Sequence, residues 1–409
     1  MKKIILLFVT AIYSFGFSQK GNNIELTKEL EKLYKKSNFP GFAVAIVSDK
    51  AIEYQSAFGY SDLKKKKPYT LKSIQNIGSV SKTFIGVAIA KSIELGYFNL
   101  ETNINDILPF KVINPNLITT NEIKIKHLVT HTSGIIDDEK VYQKSFLLYD
   151  KFNNNSPLHT KIKKDNTIPD RKDIVLADFL ANYFECKGNW YKKTNFNSEI
   201  PGDEYNYSNI GSALAAYLIE IKSKMSFEDF CKKFITKPLK MNASSWSLND
   251  TIFSKHVKAY NHKKQFYPIY SEITYPDGSL NTSCEELSKY LFEMIKGYNG
   301  NSTLLNPESY NLLFKKQFLD EKLPKNYDPK EPNSGLFWRI KKNGQIGHTG
   351  SDLGITTFLF FDPKTNIGRI FMTNIEFDNP ETGEINEKLV TQFIEIWKIL
   401  EKHIISKSD

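Results

Sequence analysis

Three cysteines among 409 residues are too few, and odd in number, for a disulfide framework. Cys186, Cys231 and Cys284 also stand too far apart in sequence to form a metal cluster, and they read as mostly buried, inert thiols. Beyond the N-terminal segment the chain lacks any apolar run approaching the roughly 20 residues that a membrane-spanning helix needs. No zinc-finger, RNA-binding or helix-turn-helix signature accompanies the net charge of +9, so no nucleic acid is called for. The basic run Lys64-Lys65-Lys66-Lys67 reads as solvated surface. There is no internal repeat, no low-complexity tract and no G-x-S-x-G, which argues against an α/β-hydrolase elbow.

What the chain does have begins at its first residues. Met1-Lys2-Lys3, the apolar run Ile4 to Phe17 and the small residues Gly16 and Ser18 describe a secretory signal over residues 1–18. Cleavage after Ser18 predicts a periplasmic or secreted protein of Sec-type export, with no stable membrane span afterwards. A retained anchor helix is the rival reading.

The remaining length suggests two packed lobes. "IELTKELEKLY" has helical periodicity, and "FAVAIVSD" and "AIEYQSAFGY" read as a β-hairpin turning near Asp49-Lys50. A helix is predicted over Ser79–Leu95, stopping at Gly96. Helices dominate the middle, around Ile123–Thr130, Asp173–Phe184, Ile210–Ser223, Phe227–Ile235, Glu285–Lys296 and Pro307–Lys315. Strands return in "GLFWRIKK", "GQIGHTG", "GITTFLFFD" and "IGRIFMTN", before an amphipathic helix over Glu384–Ile404. This order predicts an α+β fold. Segments 19–75 and 335–409 share one antiparallel sheet, residues 76–334 form a mostly helical insertion, and the cleft lies between them. The polar connection Asp137–Asp170 is long enough to be a functional cover over that cleft.

The stretch "NIGSVSKTFIG" from Asn76 could wrap a phosphate or activate a serine. A phosphate loop needs glycine directly before the lysine, and here Ser81 precedes Lys82; it also needs a strand leading directly in. The serine reading has a mechanism. Residues three apart share a helix face, so Lys82 can reach the Ser79 hydroxyl and take its proton. The helix start aims free N–H groups and positive potential at the site, favouring a neutral Lys82 and a developing oxyanion. S-x-x-K alone is cheap, since Ser61-Asp62-Leu63-Lys64 fits too, inside a polar turn. Partners are therefore required. Of two Y-x-N triplets, Tyr97-Phe98-Asn99 follows a helix stop and reads as packing. Tyr207-Ser208-Asn209 stands at a helix mouth. His348-Thr349-Gly350 falls on a strand, where Gly350 lets a substrate lie close.

Ser79-Val80-Ser81-Lys82, Tyr207-Ser208-Asn209 and His348-Thr349-Gly350, in that order, resemble the serine β-lactamase and penicillin-binding superfamily, in its class C β-lactamase-like branch. "FPGFAVAIV", "FGYSD", "HLVTHTSGI", "KPLKM" and "FDPKTNIGRIFMTN" extend the resemblance over about residues 38–375. It implies that Ser79 is acylated, that Lys82 accepts or relays its proton, and that Tyr207 passes a proton to the leaving group. It further implies that Asn209 holds the substrate amide or the Lys82 ammonium, and that His348, Thr349 and Gly350 line the substrate. The backbone N–H groups of Ser79 and Ser351 would form the oxyanion hole. No cofactor and no metal is implied. The partner is a small-molecule or peptide substrate, cell-wall material among the candidates.

One departure matters. The third motif of class C β-lactamases usually opens with lysine, and here it opens with His348. H-T-G resembles the D-alanyl-D-alanine carboxypeptidases, D-amino-acid peptidases and esterases of the branch, which favours a peptidase or esterase over a β-lactamase. A non-catalytic penicillin-binding or scaffold protein is the reading from another class. His127 and His131, four apart like zinc ligands, lack a third ligand and read as a structural turn; Tyr60, Phe337 and Trp338 read as core.

Overall fold

A computed structural model describes residues 23–118, 122–148, 155–166, 175–378 and 383–403. The expected signal segment 1–18 lies outside the described residues, as do 149–154 and 167–170 of the segment expected to cover the cleft.

Among the described residues the strands are β1 (Gly41–Val47), β2 (Ile52–Asp62), β3 (Lys67–Pro68), β4 (Ile74–Asn76), β5 (Phe146–Leu148), β6 (Tyr270–Glu272), β7 (Asn281–Ser283), β8 (Asn333–Ser334), β9 (Arg339–Ile340), β10 (Ile346–Asp352), β11 (Ile355–Asp362) and β12 (Ile367–Thr373). Eight form one sheet in the order β3-β2-β1-β12-β11-β10-β9-β8. The N-terminal hairpin joins the C-terminal strands through the antiparallel β1–β12 pair, with Val44 opposite Phe371. This is the predicted α+β arrangement.

The β1 sequence is apolar throughout because both faces of the sheet are covered. Side chains alternate across a strand. Ala43, Ala45 and Val47 therefore enter the core shared with the helical region, while Phe42, Val44 and Ile46 enter a second core. That second core is roofed by α1 (residues 23–36) and by a C-terminal helix over Glu387–Lys402. Leu26 and Leu30 supply one roof, Leu389, Ile396 and Leu400 the other, at helical spacing. Phe42 stacks on Phe371 at 5.5 Å, and Phe358 on Phe393 at 4.1 Å. Such ring pairs add about 0.5–1.5 kcal/mol beyond the area they bury.

On the opposite face lie α2 (Ser81–Glu94), α3 (Leu176–Phe184), α4 (Asn209–Ser223) and α5 (Cys284–Tyr298), with the C-terminal helix as α6. Helix α2 is buried along most of its length, and Phe84 stacks on Tyr290 of α5 at 3.9 Å. An apolar, centrally packed helix after β4 holds Lys82 in the core and Ser79 one turn before it.

Three expectations need correction. The predicted helix begins as a 3-10 turn over Gly78–Val80, with regular α-helix only from Ser81. "GLFWRIKK" is no continuous strand: Ser334 pairs with Arg339 across a tight hairpin in which Phe337 takes φ +57°. Phe337 and Trp338 are buried there, the indole packing edge-on against Phe314 at 5.1 Å. Of the thiols, Cys231 and Cys284 are buried but Cys186 is exposed. Among the described residues no helix is long and apolar enough to cross a membrane.

Candidate active site

Ser79 sits in the 3-10 turn and Lys82 one turn further on, at the start of α2. The Lys82 Nζ donates to Ser79 Oγ at 3.2 Å, to Asn209 Oδ1 at 2.7 Å and to the Asp277 carbonyl oxygen at 2.8 Å. An ammonium has three N–H donors, and here each has an acceptor. Lys82 is fully buried. Burial disfavours its charge, but Tyr207 and the carboxyl groups of Asp277 and Asp137 outweigh burial and raise its pKa. The helix start is expected to favour a neutral Lys82; these tertiary neighbours, invisible in the local sequence, act in the opposite direction.

Tyr207 precedes α4. Its ring centroid lies 5.0 Å from the Lys82 Nζ and 4.4 Å from the His131 ring. Ser208, the middle residue of the triplet, caps α4, its Oγ accepting from the Gly211 N–H at 2.8 Å. Asp137 supports the same helix mouth. Its carboxylate accepts from Ser208 Oγ at 2.6 Å, from the Asn209 N–H at 2.6 Å and from the Ile210 N–H at 3.2 Å. Burial nevertheless raises its pKa to about 6. Asn209 is thus positioned by a residue from the segment expected to cover the cleft. The described start of that segment, residues 137–148, reaches the site through Asp137 and through the Tyr142 hydroxyl, 2.9 Å from Asp277 Oδ1.

His348 is buried on β10. Its Nδ1 lies 2.5 Å from the Thr349 carbonyl, an acceptor only, so Nδ1 carries the proton. Burial, then Arg339 and Lys82, push its pKa well below the usual histidine value, and the ring is neutral. Thr349 and Gly350 follow on the strand. A Cβ at Gly350 would lie 2.0 Å from the Ile77 carbonyl oxygen and 3.1 Å from the Ser79 nitrogen; one at Gly78, where φ is +54°, would lie 3.0 Å from the Ser351 nitrogen. Gly350, expected to leave room for a substrate, thus turns its bare face to the Ile77 and Ser79 backbone, and with Gly78 it lets the Ser79 and Ser351 backbones lie flush. The Ser351 hydroxyl donates to Asp378 at 2.9 Å.

Beneath Lys82 lies an acidic pair. The Tyr142 hydroxyl is 2.9 Å from Asp277 Oδ1 and 3.3 Å from Glu272 Oε1, and its single proton serves one of them. Burial raises Asp277 to about 7, and burial with the Asp277 charge pushes Glu272 well above the carboxylate range. Asp277 Oδ1 is 4.0 Å from the Lys82 Nζ.

The structure therefore gathers Ser79, Lys82, Tyr207, Asn209, His348 and the Gly350–Ser351 backbone around one point. The second S-x-x-K does not join them: Ser61 is buried on β2, its hydroxyl donating to the Lys67 carbonyl at 3.3 Å. Four neighbours escaped the sequence reading. His131 had a signal, the H-x-x-x-H pair, but its Nδ1 accepts from the Ser208 N–H at 3.2 Å rather than facing a metal. Asp137, Asp277 and Arg339 had none. Among the described residues no three His, Cys, Asp or Glu side chains gather to hold a metal ion.

Residues 26–390 match the beta-lactamase family. Protein flp of Staphylococcus aureus strain MRSA252 is 24% identical over 377 residues, covering 89% of this chain, which spans 65% of that relative's length. A beta-lactamase of Yersinia enterocolitica is 22% identical over 390 residues, covering 86% of each chain. The octameric penicillin-binding protein homologue from Pyrococcus abyssi superposes with a TM-score of 0.68 at 21% identity, covering 93% of this chain and 78% of that one. The fold and the family match agree: this chain belongs to the beta-lactamase family, within the serine β-lactamase and penicillin-binding superfamily.

Proposed function

We propose that the protein is an exported serine hydrolase that forms an acyl-enzyme on Ser79 and acts on amides or esters, with D-alanyl peptides and short esters as its substrate class. The observation that carries this reading is the Lys82 Nζ, within hydrogen-bond reach of Ser79, Asn209 and the Asp277 carbonyl at once and 5.0 Å from the Tyr207 ring centroid. In the reactive form the Lys82–Tyr207 pair holds one proton less than its full complement, and the Ser79 proton passes into that pair through Lys82 toward the Tyr207 oxygen. The Ser79 Oγ–carbonyl bond forms, the bond to the leaving group breaks, and the proton passes through Tyr207 to the departing nitrogen or oxygen. Water then attacks the acyl-enzyme by the reverse proton path. The Ser79 and Ser351 N–H groups hold the carbonyl oxygen as its charge grows.

The neutral His348 favours esters, since it offers no charge to the carboxylate that penicillins and D-Ala-D-Ala peptides both carry. The test is labelling of the purified protein with a fluorophosphonate and a penicillin, read by intact mass, beside turnover of nitrocefin, p-nitrophenyl esters and D-Ala-D-Ala peptides. Labelling lost in Ser79→Ala, with esters or peptides turned over faster than nitrocefin, is the expected result. Faster nitrocefin hydrolysis overturns the substrate class, and stoichiometric labelling without turnover makes the protein a binder. Export is tested by the N-terminal sequence of the protein recovered from the periplasm or medium, with Gln19 expected first.

A further inference from the structure

The third motif brings no positive charge to the cleft, yet the Tyr207 ring has two cations against it. One is Lys82. The other is Arg339 on β9, paired in register with Gly347 of β10, its guanidinium carbon 5.2 Å from the Tyr207 ring centroid. Arg339 forms an ion pair with Glu331, and its Nε has no acceptor among the described residues. Glu331 and the Tyr207 ring bracket the guanidinium, and Tyr205 lines the same pocket. The hairpin beneath is fixed by the buried Phe337 and Trp338. The remaining ring neighbours, His131 at 4.4 Å and His348 at 6.4 Å, carry no charge that could replace it; burial, Lys82 and Arg339 hold both imidazoles neutral.

We infer that Arg339 is a positioning residue for acyl transfer: paired with Glu331, its guanidinium holds the Tyr207 ring in place and brings a second positive charge to it beside Lys82. The inference rests on the acyl-transfer reading above. A guanidinium over an aromatic face is attracted to the ring in every protonation state. Arginine suits this place because its planar, permanently charged head stacks and forks at once, whereas lysine offers a point charge.

The experiment measures the fluorophosphonate acylation rate constant, and kcat and KM on a p-nitrophenyl ester, for wild type, Arg339→Met, Arg339→Lys, Arg339→Ala and Glu331→Gln, with thermal melts as the folding control. Arg339→Met is expected to slow acylation by about 3- to 30-fold, the range set by a partly desolvated cation–π contact, with KM unchanged. Arg339→Lys recovers part of the loss, Glu331→Gln loses in the same direction, and millimolar guanidinium ions restore part of the Arg339→Ala rate without affecting Tyr207→Phe. Should Arg339→Met fail to fold, the lysine and Glu331 variants decide. Wild-type acylation rates in all variants overturn the inference, as does a rise in KM confined to carboxylate-bearing substrates, which would make Arg339 a substrate anchor. A wild-type enzyme that no probe labels defeats the hydrolase reading and this inference together; normal labelling with indifferent Arg339 variants defeats this inference alone.

Discussion

The carboxylate of Asp137 accepts the backbone N–H of Asn209 at 2.6 Å, across 72 residues of chain. That one bond ties the start of the 137–170 segment to the helix mouth from which Asn209 reaches Lys82. Replacing Asp137 with alanine leaves two backbone N–H groups and the Ser208 hydroxyl without this acceptor. The expected cost is about 1–3 kcal/mol, the range for an unpaired buried polar group, together with slower acylation because Asn209 loses its anchor. Chemical denaturation and fluorophosphonate labelling measure the two effects; unchanged labelling would confine Asp137 to a structural part.

Tyr207→Phe removes the proton acceptor while leaving the ring between Lys82 and Arg339. Acylation should fall by about 10²–10⁴-fold, the usual contribution of general acid–base groups, with little change in melting temperature. The Lys82–Asn209 bond at 2.7 Å does not depend on the phenol oxygen, so the fold should hold. Stopped-flow acylation checks the rate, and near-wild-type reactivity would point to another base.

Gly350→Ala places a methyl group 2.0 Å from the Ile77 carbonyl oxygen, a backbone atom that cannot swing aside. The two backbones must separate, and the Ser79 and Ser351 N–H groups with them. Loss of one oxyanion donor typically costs about 10²–10³-fold in turnover, and overpacking costs about 1–3 kcal/mol of stability. Comparing kcat with the denaturation midpoint separates the two.

The Asp277 carboxyl gives a pH signature. An unfolded chain ionises it near 3.8, whereas the folded protein keeps its proton to about 7 because burial outweighs the Lys82 charge. Between those values the unfolded state binds fewer protons, so the stability this group contributes falls as pH rises. Asp277→Asn has no such dependence. The variant should therefore gain stability relative to wild type from pH 4 to pH 7, measured as the difference in urea-denaturation free energy; a flat difference over that window would contradict the burial argument.

Much of the sheet was legible because alternation is local. The β1 and β2 runs, the turn at Asp49-Lys50 and the strands β10 to β12 follow from residues that are neighbours in sequence. "GLFWRIKK" misled because its apolar residues fill the core from a hairpin turn, where Phe337 takes a left-handed conformation. Hydrophobicity reports burial, and burial does not require extended backbone.

Within the site, the sequence by itself determined the pairing of Ser79 with Lys82, since three-residue spacing at a helix start puts both on one face wherever the helix is packed. It also supplied the glycines that let the Ser79 and Ser351 backbones lie flush. Only the tertiary structure decided the charge of Lys82, the acidic pair beneath it, the cap from Asp137 and the guanidinium over Tyr207. Charge state depends on burial and on through-space neighbours, and those neighbours come from chain positions as distant as 137, 277 and 339. No spacing rule encodes such distances; they exist once the sheet and α2 have fixed both lobes.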